Sequence, residues 1–403
     1  MSVPHLRGAA RLASDAVTGV TDVVEAAHAT IASPRGRPRR ARGIAGVVYR
    51  MVRAVTRGVA RLLDGGLAVA ERSATPSAPR SSAAHDAAVA ALNGVVGDWL
   101  AAEGNPLATV AEIRLDGRAL DLTTLTDPSG VLLVHVHGLC MHDGQWGDAA
   151  HDPRAVLAEA LGATALAVRY NSGRHVSESG RDLAGLLDRV VAGWPVPVRR
   201  LVLVGHSMGG LVLRSALHLG AEAGHGWPSR DVSLVTLGTP HHGAPLERIG
   251  NVADAMLEAT RWSAPYARVG QVRSAGVTDL RRGNLSDADW TGRDRFARGP
   301  DARQIVPLSV ATYFVAATTG DGRGGVRDQT LGDGLVPLDS ALGRHRDPAR
   351  DLGVPADRTR VFSRMTHFEL LRRPEVTDQL VAWLAPDGPD IDAPARTRAR
   401  NER

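Results

Sequence analysis

From Val131 onward, short apolar runs alternate with longer stretches in which apolar residues recur every three to four positions. The runs Val131–His137, Thr164–Tyr170, Arg200–Val204, Val232–Leu237, Val310–Ala316 and Thr359–Phe362 have the length and composition of strands buried on both faces. Pro153–Leu161, Ser179–Val191, Met208–Leu219 and Pro374–Leu384 read as the helices between them. This alternation predicts a mostly parallel sheet covered by helices on both faces. Upstream, Ala111–Leu122 alternates apolar and polar positions about Asp116-Gly117, the signal of a hairpin. Residues 84–101 read as a further helix, ending near Gly104-Asn105-Pro106.

Residues 1–83 differ, being rich in Ala, Val and Arg. One helix is expected near Ala13–Ile31, with Val17, Val20, Val24, Ala27 and Ile31 on one face, and a second near Ile44–Leu63. Pro34 and Pro38 break the chain between them, and Pro76 and Pro79 mark Ser73–Ser82 as a linker. In the second helix Arg50, Arg53, Arg57 and Arg61 share one face, with Ile44, Val48, Met51, Val55, Val59 and Leu62 on the other. The expected reading is an apolar stripe docked on the rest of the protein with its arginines in solvent. The alternative is contact with a membrane surface or a partner. Residues 241–308 interrupt the strand–helix rhythm, with a helical piece near Asn251–Arg261, and read as a lid-like insertion. The expected division is a helical extension and linker over 1–83, a main domain over 84–386, and a polar tail over 387–403. No internal repeat is present.

Hydrophobic residues make up 43% of the 403, enough for a sizeable core. Aromatic residues are only 4%, so Ala, Val and Leu must supply most of the packing. A net charge of +5 over this length is too mild to argue for nucleic acid, and no interleaved aromatics accompany it. Much of the excess sits at Arg35, Arg37, Arg39, Arg40 and Arg42. One cysteine, Cys140, excludes an intrachain disulfide. No apolar run follows Met1–Arg7 and no stretch of 18 apolar residues exists, so neither a signal peptide nor a membrane span is expected. The expected location is the cytoplasm, with peripheral membrane contact through the basic helix as the alternative.

The chemistry concentrates at Gly205-His206-Ser207-Met208-Gly209, between the apolar runs Leu201–Val204 and Leu211–Leu213. Strand, very tight turn, helix is the context of a nucleophile elbow, in which a strained serine needs neighbours without a Cβ. Gly205, Gly209 and Gly210 meet that need. A serine hydroxyl requires a base. Among 15 histidines, His367 follows the last strand and precedes the last helix, where such sheets place function, whereas His206 is expected to point away. The base needs an acid, and Asp333 in Gly332-Asp333-Gly334-Leu335-Val336-Pro337 is favoured over Asp321 and Asp328 because the Leu335–Pro337 run anchors its loop. Two backbone donors for a developing oxyanion are expected from Met208, after the nucleophile, and from Leu139, where Gly138 lets the chain turn. Cys140 reads as a small packing residue. His135, His137, His142 and His151 lack any metal-site spacing, and Asp321–Gly325 does not match a calcium loop, so no metal or other cofactor is expected.

These motifs resemble known families. His137-Gly138-Leu139 with Trp146 resembles the oxyanion loop of lipases and esterases, and Gly205–Gly210 resembles their elbow. Leu237-Gly238-Thr239-Pro240-His241-His242-Gly243 is similar to the strand-end motif of lipases and of glycosylphosphatidylinositol inositol-deacylase-like proteins. The resemblance covers roughly residues 130–386. It implies an α/β-hydrolase fold and hydrolysis of carboxylic esters through an acyl-enzyme by Ser207, Asp333 and His367, acting on a small-molecule or lipid ester. An acyltransferase on the same residues, or a lipid-binding protein that has only the fold, are the alternatives.

Overall fold

Eight strands, all those among the described residues, join in one sheet: β1 (Glu112–Leu115), β2 (Arg118–Ala119), β3 (Val131–Val136), β4 (Thr164–Arg169), β5 (Arg200–His206), β6 (Asp231–Leu237), β7 (Ala311–Thr318) and β8 (Thr359–Ser363). Their order is β2-β1-β4-β3-β5-β6-β7-β8. The pairs from β4 to β8 are parallel, while β1 runs antiparallel to both β2 and β4. The computed structural model describes residues 2–32, 43–73, 82–245, 273–294, 301, 303–322 and 331–385. The expected α/β-hydrolase architecture is therefore present. The β1–β2 hairpin turns at Asp116 (φ 50°) and Gly117 (φ 73°), two successive left-handed residues as a two-residue turn of this hand requires.

Both faces of the sheet are covered, which is why its strands read as unbroken apolar runs. On one face Leu132, Val134, Leu201 and Leu203 pack against helices α5 (Val176–Gly193) and α6 (Met208–Glu222). On the other, Leu133, Val202, Val204 and Val315 pack against α4 (Pro153–Leu161) and α8 (Pro374–Leu384). Helix α4 shows how locally these boundaries are written. The Asp152 carboxylate accepts from Arg154 N, Pro153 opens the first turn, and left-handed Gly162 closes the last.

Three helices precede the sheet: α1 (Val3–Ala32), α2 (Gly43–Ser73) and α3 (Ala83–Ala102). Helix α1 docks on α3 through Leu12, which packs with Leu92, Leu100 and Leu107, and Asn105 Nδ2 donates to Gly8 O at 3.1 Å. Helix α2 corrects the expected docking. Val55, Val59 and Leu62 are 60%, 51% and 78% exposed, whereas Arg53, expected in solvent, is only 4% exposed. Arg53 Nη1 lies 2.6 Å from Asp22 and 2.5 Å from Glu25 of α1, and Asp64 pairs with Arg7 and Arg11. Among the described residues, ion pairs turn the Arg53 and Asp64 side of α2 to α1, because α1 supplies Asp22, Glu25, Arg7 and Arg11 there. On α1, Val17 is exposed as well. The side chains of Val20, Val24, Ala27, Ile31, Ile44, Val48 and Met51 lie outside the described residues.

Of the insertion, the expected helix near Asn251–Arg261 lies outside the described residues, as do residues 387–403 and most of the Ser73–Ser82 linker. The later part is tightly held. Helix α7 (Ala275–Leu280) is wholly buried, Ser274 Oγ donates to Gly94 O at 2.6 Å, and Asp98 accepts from Ala275 N at 2.9 Å. Asp279, 1% exposed, accepts from Val176 N at the start of α5.

Candidate active site

Strand β5 delivers the chain to Ser207, whose φ of 53° and ψ of −123° lie in a region that residues with a side chain avoid. The turn is held from both sides: Ser207 N donates to Leu237 O at 2.8 Å, and Thr239 Oγ1 donates to Ser207 O at 2.8 Å. Its glycines are dictated by contact. A Cβ on Gly209 would sit 2.2 Å from Val136 O, and one on Gly210 would sit 2.1 Å from Thr239 Oγ1. Any alanine there forces the turn apart. Thr239 was legible as part of a motif but had no assigned task, and its hydroxyl is what fixes the elbow's carbonyl.

His367 and Asp333 come together on the loops after β8 and β7. His367 Nδ1 lies 2.7 Å from Asp333 Oδ2, and both side chains are almost fully buried. The other oxygen, Asp333 Oδ1, accepts from Leu335 N at 3.0 Å and Val336 N at 2.9 Å, so these two amides anchor the carboxylate. Asp321 is exposed, and Asp328 lies outside the described residues. With Nδ1–H donated to the carboxylate, the free lone pair of His367 is on Nε2. Ser207 and His367 line one small, largely apolar pocket, walled by Leu139, Met141, Leu280, Leu335 and Phe368. Among the described residues no hydrogen bond joins the Ser207 hydroxyl to Nε2; such bonds are commonly long before substrate arrives.

His206 differs from expectation. It is fully buried beside His367, its ring 4.7 Å from that of His367, with Nε2 3.2 Å from His367 O. Burial, and then the neighbouring His367, holds its pKa well below the usual value, so it is neutral. Its Nε2–H donates to the carbonyl and pins the His367 loop to the elbow.

The loop after β3 supplies the remaining geometry. Gly138 is needed for close approach: a Cβ there would lie 3.0 Å from Ser207 Cβ. The left-handed residue is instead Cys140, at φ 60°. Cys140 is buried against Ala91 and Val95 of α3, and its N–H donates to Ser172 Oγ at 3.0 Å. Periodicity gave no sign that α3 and Ser172 back this loop. Among the described residues neither Leu139 N–H nor Met208 N–H meets an acceptor. Met208 opens α6, where the first amides have no partner within the helix and favour negative charge. The four clustered histidines diverge: His135 meets the edge of Trp146, His137 stacks on Tyr170, His142 Nδ1 accepts from Gly144 N, and His151 bonds Thr377.

Residues 188–317 match the family model of the PGAP1-like alpha/beta domain. No curated protein matches the chain. Among solved structures, the mature lipase BlEst2 of Bacillus licheniformis is similar at 21% identity, over 69% of this chain and 98% of that one, with a TM-score of 0.42. The ester-hydrolase EH1AB1 from the metagenome of Lake Arreo is similar at 14% identity, over 81% and 96%, with a TM-score of 0.39. An esterase of Pyrobaculum calidifontis is similar at 14% identity, over 63% and 75%, with a TM-score of 0.36.

Proposed function

We propose that this chain hydrolyses carboxylic esters of lipid-like or short acyl groups through an acyl-enzyme on Ser207. The observation that carries this reading is Asp333 paired at 2.7 Å with His367, which lines the same pocket as a serine on a strained elbow. Ser207 Oγ attacks the acyl carbon while His367 Nε2 takes its proton. The tetrahedral oxyanion sits on the Leu139 and Met208 amides, which have no other acceptor among the described residues. His367 then gives the proton to the leaving alcohol. Water repeats the attack on the acyl-enzyme with His367 as base, releasing the acid and the serine. The apolar walls Leu139, Met141, Leu280 and Phe368 suit the acyl side of the substrate. An acyltransferase would run the same first half and accept an alcohol in the second. A fluorophosphonate probe is expected to label Ser207, read by mass spectrometry of its peptide, and a panel of p-nitrophenyl esters to give turnover that depends on chain length. An unlabelled Ser207 in folded protein would refute the reading; ester products formed with an added alcohol would convert it to acyl transfer.

A second part of the reading concerns the α1–α2 hairpin. Of nine exposed large apolar residues among those described, six lie on it: Leu6, Val17, Val52, Val55, Val59 and Leu62. Arg50, Arg57 and Arg61 are exposed on α2, and the stretch 35–42 adds five arginines. Apolar surface beside excess positive charge fits an anionic lipid surface, where each basic residue contributes about 1 kcal/mol. No helix among the described residues is long and apolar enough to cross a membrane, so contact would be at the interface. The full chain is expected to co-sediment with phosphatidylglycerol vesicles and not with phosphatidylcholine alone. The double variant Val55→Asp, Leu62→Asp should bind roughly 10-fold more weakly, from the lost burial of two apolar side chains. Equal binding by the variant, or none by the parent chain, would remove this part of the reading.

A further inference from the structure

Behind the catalytic elbow, on α6, Arg214 is buried to 4% exposure. Its Nη2 donates to Val306 O at 2.7 Å, and its Nη1 lies 3.2 Å from His241 Nδ1. Nε has no acceptor. A guanidinium can only donate, so His241 Nδ1 is the acceptor and the imidazole proton is on Nε2, 3.2 Å from Thr236 Oγ1. Burial, then the charge of Arg214, pushes the pKa of His241 well down, so that ring is neutral. Arg214 thus uses two of five donors and, among the described residues, faces no carboxylate. The charged neighbour that acts on it, Arg303, is another cation. Arg303 shares its own carboxylate, Asp301, with Arg350, each at 2.8 Å. Two guanidinium groups therefore share one acid, and Arg214, among the described residues, has none. Burial chiefly, with Arg303 adding, lowers Arg214 to about 9, which leaves it charged at neutral pH. A buried charge without a partner costs several kcal/mol, so native proteins rarely retain one unless something binds it.

Arg214 also lines a cavity of ≈ 260 Å³. The other walls are mostly apolar, Leu217, Leu234, Pro307, Leu308 and Val310 among them, and none of the lining residues belongs to the pocket over Ser207. We infer that this cavity is a second binding site, for an amphiphilic carboxylate whose head meets the free donors of Arg214 and whose hydrocarbon tail fills the apolar space. One guanidinium balances one carboxylate, with a planar fork matched to it. An inorganic phosphate would bring more charge than Arg214 offers and would leave the apolar walls unfilled. The inference stands apart from the esterase reading, although ester cleavage releases acids of this class.

The test is calorimetric titration of the full chain with sodium octanoate, in a Ser207→Ala background so that no turnover is needed. One equivalent of octanoate is expected to bind in a manner that Arg214→Met weakens about 10- to 100-fold, the usual loss for a charge-assisted bond. Leu308→Trp, which keeps the arginine and fills the cavity, is expected to remove the same equivalent, and octanol should bind at least 10-fold more weakly than octanoate. Unfolding curves identify a variant that misfolds; if Arg214→Met does, Leu308→Trp and octanol still decide. Octanoate binding that neither substitution changes, the absence of any octanoate binding, or phosphate binding that Leu308→Trp leaves intact would each overturn the inference.

Discussion

Ser207→Ala is expected to lower turnover of a p-nitrophenyl ester on the order of 10⁴- to 10⁶-fold while the protein remains folded. In serine hydrolases with a linked base, loss of the nucleophile alone removes nearly all of the triad's contribution, and what survives comes from the oxyanion donors and binding. The fold should tolerate the change because the elbow is built around a Cβ at this position, and no hydrogen bond of the Ser207 hydroxyl is broken among the described residues. The backbone bonds to Leu237 O and from Thr239 Oγ1 involve only main-chain atoms of Ser207. A companion substitution separates chemistry from strain. Ser207→Gly also lacks the nucleophile but relieves the left-handed φ of 53°, so it should be inactive and more stable by about 1 kcal/mol. Wild-type turnover in Ser207→Ala, with identical purity and melting behaviour, would end the case for Ser207.

How far the molecule could be read in advance depends on how local each cause is. The parallel strands were legible because burial on both faces makes each an unbroken apolar run, and the caps of α4 are spelled out in Asp152, Pro153 and Gly162. Candidate site residues were legible for a related reason: Ser207, Asp333 and His367 stand in short runs at the ends of β5, β7 and β8, where loops leave the sheet. What failed depended on distant partners. Arg53 of α2 reads as solvated, as Arg50, Arg57 and Arg61 are, because Asp22 and Glu25 lie on another helix, about 30 positions away, and periodicity does not announce such a pairing. Gly138 was explained by a turn, yet its cause is the approach of Ser207 Cβ from a strand nearly 70 residues later. The left-handed strain sits at Cys140, where α3 and Ser172 hold the loop from outside. His206 was sent away from the site for want of any sign that His367 O would lie within reach of its Nε2.

Asp333→Asn should cost on the order of 10⁴ in kcat with little loss of stability, and the geometry gives the reason. In the native turn Oδ1 accepts the Leu335 and Val336 amides, which only an oxygen can do. Asparagine satisfies those two amides by placing its single oxygen there, so its NH₂ must face His367 Nδ1. That group donates where the carboxylate accepted. The imidazole then keeps its lone pair on Nδ1 and its proton on Nε2, the nitrogen that must receive the Ser207 proton. The loop is intact and the base is present, but in the wrong tautomer. Asp333→Ala should behave differently, since it leaves both buried amides without an acceptor and adds a loss of roughly 1–3 kcal/mol in stability. Paired kcat measurements and melting curves on the two variants check this, with ¹⁵N NMR of His367 reporting which ring nitrogen carries the proton. Near-native kcat in Asp333→Asn, or an unchanged His367 tautomer alongside lost activity, would show that Asp333 does not set the protonation of the base.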